Sequence, residues 1–153
     1  MPSKQRKRSS SLRTPNPEPR TNRRVNGTLN LPIGCGVDVV ELSRFKQAVQ
    51  RGGEAFLRRI FTPHEKAYAN ARRRTTLLHL AGRFAAKEAV IKAISQVAPT
   101  RVPAMNEVEI RNDRLGRPRV VLLVDGRASQ LQVYVSLSHV DTVAVASAIV
   151  VRR

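Results

Sequence analysis

Residues 76–97 read TLLHLAGRFAAKEAVIKAISQV, and this stretch decides the fold class. Apolar residues recur at helical spacing along its whole length and Pro99 stands just beyond it, which predicts the longest helix of the chain. Projected at about 100° per residue from Leu77, the side chains of Leu77, Leu80, Ala81, Phe84 and Ile91 fall within roughly 60° of that origin and form the stripe expected to be buried. Upstream, Thr62-Pro63-His64-Glu65 is a capping box with Pro at the first helical position. Its hydroxyl and carboxylate satisfy amides that a helix start leaves unpaired, so a helix is expected from there to about Arg72-Arg73-Arg74. Glu41 to Gln50 predicts another helix, stopped at Gly52-Gly53, and Glu54 to Ile60 a short third. Before them, Ile33 to Val40 (IGCGVDVV) reads as a short buried strand. After the long helix the character changes: Glu107 to Arg111, Arg119 to Val124, Gln132 to Ser138 and Thr142 to Val151 are β-branched runs bounded by turn residues. Strand, helices, then antiparallel strands make an α+β single domain, one long central helix and shorter helices packed on a small, mainly antiparallel sheet.

The 153 residues carry 28 Lys and Arg against 11 Asp and Glu, a net charge of +17 that calls for an anionic partner. Residues 1–30 hold eight of those cations against Glu18 in a Ser-, Pro- and Asn-rich context with little to bury. A disordered basic tail is expected there, and the folded domain at 31–153. The single Cys35 excludes an intramolecular disulfide framework and a cysteine zinc site. With no secretory signal and no apolar run near the roughly 20 residues of a membrane span, a cytoplasmic protein is expected.

Two carboxylates are out of place. Glu88 projects at about 20°, inside the expected buried stripe, where an unpaired carboxylate is costly. Two readings stand: a pair with Lys92 one turn on, or a bound cation. Asp38 is the one charge inside GVDVV, and it reads either as a cap for the following helix or as a ligand. Asp and Glu are hard oxygen donors, and Mg²⁺ is commonly held by one or two carboxylates completed by water and phosphate oxygens. With Arg83, Lys87 and Lys92 nearby, the pattern points to a magnesium site acting on a phosphorylated ligand.

The order of motifs from Ile33 to the C terminus resembles the holo-acyl-carrier-protein synthases, the short 4′-phosphopantetheinyl transferases. The matching segments are Gly36-Val37-Asp38-Val39-Val40-Glu41-Leu42, Arg59-Ile60-Phe61-Thr62-Pro63-His64-Glu65 and Leu80-Ala81-Gly82-Arg83-Phe84-Ala85-Ala86-Lys87-Glu88-Ala89 with Lys92-Ala93. Glu109-Ile110, Gly116-Arg117-Pro118 and Val135-Ser136-Leu137-Ser138-His139 follow. The tail has no counterpart in that pattern.

The resemblance implies transfer of 4′-phosphopantetheine from coenzyme A to a serine of apo acyl carrier protein, with release of adenosine 3′,5′-bisphosphate in support of fatty acid biosynthesis. It implies Asp38 and Glu88 as Mg²⁺ ligands, Lys92 as a catalytic residue near the pyrophosphate, and Arg83 and His139 as coenzyme A contacts. Glu41 is a lesser candidate for orienting metal-bound water. The serine proton is taken by Glu88, directly or through water, or by a metal-bound hydroxide. Arg44 aligns with an arginine that docks the carrier. From Arg44 to Lys92 there are twelve Lys/Arg and three Asp/Glu, a surface suited to an acidic partner. The resemblance also implies a homotrimer with active sites between subunits.

Other signals carry less. His64-Glu65 lacks the second histidine of a zinc motif, and Ser136, Ser138 and His139 come without a nucleophile elbow. His79 is expected to be structural, and Cys35 a small core residue. The rival to an enzyme is a basic nucleic-acid-binding protein without catalytic activity. It leaves Asp38 and Glu88 unexplained and offers few aromatics for stacking on bases. For a transferase, nucleic acid is a candidate partner of the tail only.

Overall fold

Strand β1 (Ile33–Glu41) alternates as a half-buried strand does: Gly34, Gly36, Asp38 and Val40 face inward, Ile33, Val37 and Val39 outward. The computed structural model describes residues 32–124 and 130–153. The tail expected at 1–30 lies outside them. The inward glycines are there for contact with helix α3 (Thr76–Val97). A Cβ at Gly34 would stand 2.1 Å from the Ala93 carbonyl oxygen, and one at Gly36 2.0 Å from that of Ala89. Strand β5 (Val143–Arg152) lies between β1 and β4 (Leu131–His139), antiparallel to both, giving the order β1-β5-β4. Ala144, Ala146, Ala148 and Val150 of β5 are buried beneath α3, and their small volume lets the helix lie close to the sheet.

Helix α3 is apolar nearly all round and is buried accordingly. Its fully buried apolar side chains are Ala81, Ala85, Ala86, Ala89, Val90, Ala93 and Ile94. The expected stripe is therefore displaced. Leu80 and Ala81 are buried, but Leu77, Phe84, Ile91 and Glu88 lie on a half-open side of the helix. A helix with apolar residues on every face does not reveal by periodicity which face the sheet covers.

The two helices expected at 41–60 form one kinked helix, α1 (Leu42–Ile60), bent at Gly53 with φ 51° and ψ −147°, a conformation open to glycine. Helix α2 (Pro63–Asn70) starts on the expected capping box, with both reciprocal bonds of Thr62 and Glu65 present. It ends before Arg72, and Arg73–Thr75 form a separate turn of 3₁₀ helix. The expected strands at 107–124 shorten to β2 (Val108–Asn112) and β3 (Pro118–Leu122), an antiparallel hairpin turning at Gly116 with φ 79°. They form a second sheet, so the small sheet expected is two. On the three-stranded sheet, the face away from α3 exposes Ile33, Val37, Val39, Tyr134, Val145 and Ile149. Cys35 shares that outward parity and is exposed, which corrects the expectation of a core residue.

Candidate active site

Asp38 faces α3 because it shares the parity of Gly34 and Gly36 in β1. The close approach at those glycines brings Lys92 across to the strand. Its ammonium donates to Asp38 Oδ1 at 2.8 Å and to the Val37 carbonyl at 3.1 Å. That hydrogen bond and the charge of Asp38 raise the Lys92 ammonium above its ordinary pKa. One turn further on, Gln96 accepts from the Cys35 amide at 3.1 Å and donates to the Cys35 carbonyl. Two side chains of α3 thus bond backbone groups of Cys35 and Val37 in β1, an edge strand of its sheet among the described residues.

This geometry removes the local alternative in each of the two readings left open above. Lys92 pairs with Asp38, not with Glu88. Asp38 is not a helix cap, since β1 continues to Glu41, and the Glu41 side chain makes no cap bond either. Glu88 is half-buried rather than enclosed. It lines a cavity of about 470 Å³ with Asp38, Glu41, Arg44 and Arg51, floored by Phe45, Phe56 and Phe84. Asp38 Oδ2 and both Glu88 oxygens enter no hydrogen bond or ion pair among the described residues. No three metal-ligating side chains converge among those residues. Two carboxylates with free oxygens at one cavity fit a hard cation that takes its remaining ligands from water and phosphate.

Arg83 and His139 gather elsewhere. Arg83 is buried, donates to Asn112 Oδ1 at 2.8 Å and to the His79 carbonyl at 3.3 Å, and lies 3.9 Å from the Tyr68 ring centroid. Its Nε has no partner among the described residues. Arg72 stacks on the same ring at 3.6 Å. His79, edge-on to Tyr68, faces the exposed His139 at 6.0 Å between ring centroids. Burial and the neighbouring Arg83, Arg72 and His139 push the His79 imidazole below its ordinary pKa. His79 thus packs edge-on against Tyr68 with the cations Arg83 and Arg72 nearby, a neutral imidazole being favoured there. By the rise per residue, Arg83 lies about 13 Å and His79 about 20 Å along the helix axis from Lys92, and neither they nor His139 line the Asp38–Glu88 cavity.

Sequence reading set Lys87 among the cations for a phosphorylated ligand and missed its burial against Glu65. Lys87 and Glu65 are wholly buried and lie 2.5 Å apart. Lys87 also donates to the carbonyls of Ile60 and Met105, and Glu65 accepts from the amides of Thr62 and Ile110, each at 2.9 Å. Burial lowers the Lys87 pKa against the pull of Glu65. Thr62 donates at 2.5 Å to Glu109, also buried. Burial opposes ionisation of Glu109, but bonds from Thr62 and Arg111 outweigh it and hold its pKa low. A signal was present: Lys87-Glu88 puts adjacent charges about 100° apart on a helix that is apolar all round, so both cannot share its one half-open side.

The family model of the 4′-phosphopantetheinyl transferase superfamily matches residues 34–148. The chain is 39% identical to the holo-[acyl-carrier-protein] synthase of Geotalea daltonii over 120 residues, 74% of this chain and 93% of that protein. With the Mycolicibacterium smegmatis synthase it shares 38% identity, covering 77% of this chain and 95% of the relative. Among solved structures, the apo synthase of Chronobacterium ammoniagenes superposes with a TM-score of 0.70 at 30% identity, over 81% of this chain and 99% of that one. Its coenzyme A complex gives 0.67 at 31%, over 79% and 98%. The chain belongs to the 4′-phosphopantetheinyl transferase superfamily and is a phosphopantetheinyl transferase.

Proposed function

We propose that the chain transfers 4′-phosphopantetheine from coenzyme A to a serine hydroxyl of apo acyl carrier protein, with Asp38 and Glu88 holding Mg²⁺, in support of fatty acid biosynthesis in the cytoplasm. The observation that carries the reading is the shared cavity: Asp38 and Glu88 line it together with Arg44, while Lys92 reaches Asp38 from α3. When bound, the ion neutralises charge on the phosphate under attack. Lys92 stabilises charge growing on the leaving phosphate. Glu88, with oxygens unengaged by the described residues, accepts the serine proton. The serine oxygen bonds to the phosphorus bearing the pantetheine, the bond to the nucleotide phosphate breaks, and adenosine 3′,5′-bisphosphate leaves. Arg44, at the cavity rim, docks the acidic carrier.

Coenzyme A spans two copies of the chain in this reading. Arg83 and His139 bind it, yet within one copy they lie apart from the carboxylate cavity. A homotrimer with sites between subunits unites them, and the apolar outward face of the three-stranded sheet is the surface that would be buried. Among the described residues, no helix is long and apolar enough to cross a membrane. Incubating the chain with coenzyme A, Mg²⁺ and apo carrier protein should add the mass of one phosphopantetheine to the carrier. Absence of that gain, with a carrier modified by another synthase as control, refutes the reading. Light scattering on the purified chain tests the trimer.

A further inference from the structure

Lys92 is held at two points, Asp38 Oδ1 at 2.8 Å and the Val37 carbonyl at 3.1 Å, while half of its side chain stays in solvent. Asp38 is only 17% exposed, and Glu88 lines the same cavity. Two carboxylates at one cavity repel each other, and the ammonium offsets that repulsion in the chain without a divalent cation. A lysine suits this task, being a compact charge on a flexible stem that can leave one partner for another.

We propose that Lys92 is the built-in counter-ion of Asp38, that a divalent cation displaces it, and that the displacement frees its ammonium for the phosphates of the incoming ligand. The inference rests on the reading of Asp38 and Glu88 as metal ligands. It makes cation binding and phosphate binding mutually reinforcing: the cation that takes Asp38 releases Lys92, and a phosphate that engages Lys92 clears Asp38 for the cation. By linkage, each favours the other to the same degree.

The test uses the full chain and Mn²⁺ alone, with free Mn²⁺ followed by electron paramagnetic resonance. Lys92→Met should bind Mn²⁺ roughly fivefold more tightly than wild type, the counterpart of losing a half-exposed ion pair, and Lys92→Gln should behave alike. Removing any nearby positive charge favours a cation, so a second readout separates displacement from that general effect. In the wild type, Mg²⁺ should speed acetylation of Lys92 several-fold by mass spectrometry, leaving the exposed Lys46 of α1 unchanged. Asp38→Asn should abolish Mn²⁺ binding and the Mg²⁺ effect on Lys92. If it abolishes binding while Lys92→Met and Lys92→Gln bind no tighter, or while Lys92 acetylation in the wild type ignores Mg²⁺, displacement is overturned and the metal-ligand reading stands. If Asp38→Asn binds Mn²⁺ as wild type does, the metal-ligand reading falls and the inference with it.

Discussion

Lys87 Nζ lies 2.5 Å from Glu65 Oε2, and neither side chain has any exposed surface. The pair joins α3 to the start of α2. Its carboxylate is also held by two backbone amides and its ammonium by two carbonyls. Such a pair adds little net stability over an apolar replacement, but breaking it leaves a buried charge alone.

Each partner removed singly should therefore destabilise the chain by about 3–5 kcal/mol, with Glu65→Leu costing more than Lys87→Met. After Lys87→Met the carboxylate keeps the amides of Thr62 and Ile110. After Glu65→Leu the ammonium keeps only the carbonyls of Ile60 and Met105, while two amides lose their acceptor, a costlier loss than that of a donor to a carbonyl. Urea unfolding of both variants checks the order, and the reverse order would show that the amides do not support the carboxylate.

Asp38→Ala and Glu88→Ala should each abolish transfer, by on the order of a thousandfold or more, while the far-ultraviolet circular dichroism stays that of wild type. Both residues sit on a cavity wall and neither is in the core. Wild-type turnover in either variant, at unchanged magnesium dependence, would remove that residue from the site.

Two glycine substitutions should diverge in sign. Gly36→Ala places a Cβ 2.0 Å from the Ala89 carbonyl oxygen, a backbone atom that yields only if α3 moves off the sheet. A cost of about 3 kcal/mol or more is expected, at or beyond the usual overpacking range. At Gly82 the nearest atom would be Leu137 Cδ1 at 3.6 Å, an ordinary contact, so Gly82→Ala should stabilise the helix by about 0.5–1 kcal/mol. Thermal melts of the two variants test the contrast.

His79 should make the fold acid-sensitive. Burial and the cations Arg83, Arg72 and His139 lower its pKa in the folded chain. Above its ordinary value of about 6.5 the imidazole is neutral folded or unfolded, and it contributes no pH dependence. As pH falls through that value the unfolded chain takes up the proton first, so stability drops until the lowered folded pKa is passed, and levels off below it. His79→Gln should flatten this part of the Tm profile. A profile unchanged by the substitution would show that His79 titrates alike in both states.

Much of this was legible in the sequence because it depends on local rules. The Thr62–Glu65 capping box, the long helix ending before Pro99, the β-branched runs and the glycine turn at Gly116 each follow from a few neighbouring residues. Motif order likewise singled out Asp38 and Glu88, although the reason first given for Glu88, burial within an apolar stripe, does not hold. Which face of α3 the sheet covers was decided by the close approach of Gly34 and Gly36 to the Ala93 and Ala89 carbonyls, a contact between segments far apart in the chain. The same packing chose Asp38 over Glu88 as the partner of Lys92, buried Lys87 against Glu65, and set Arg83 and His139 around His79. Sequence determines backbone preferences and the supply of charges. Only the tertiary structure assigns the partners, because helix and strand periodicities specify direction around an axis but not what lies in that direction.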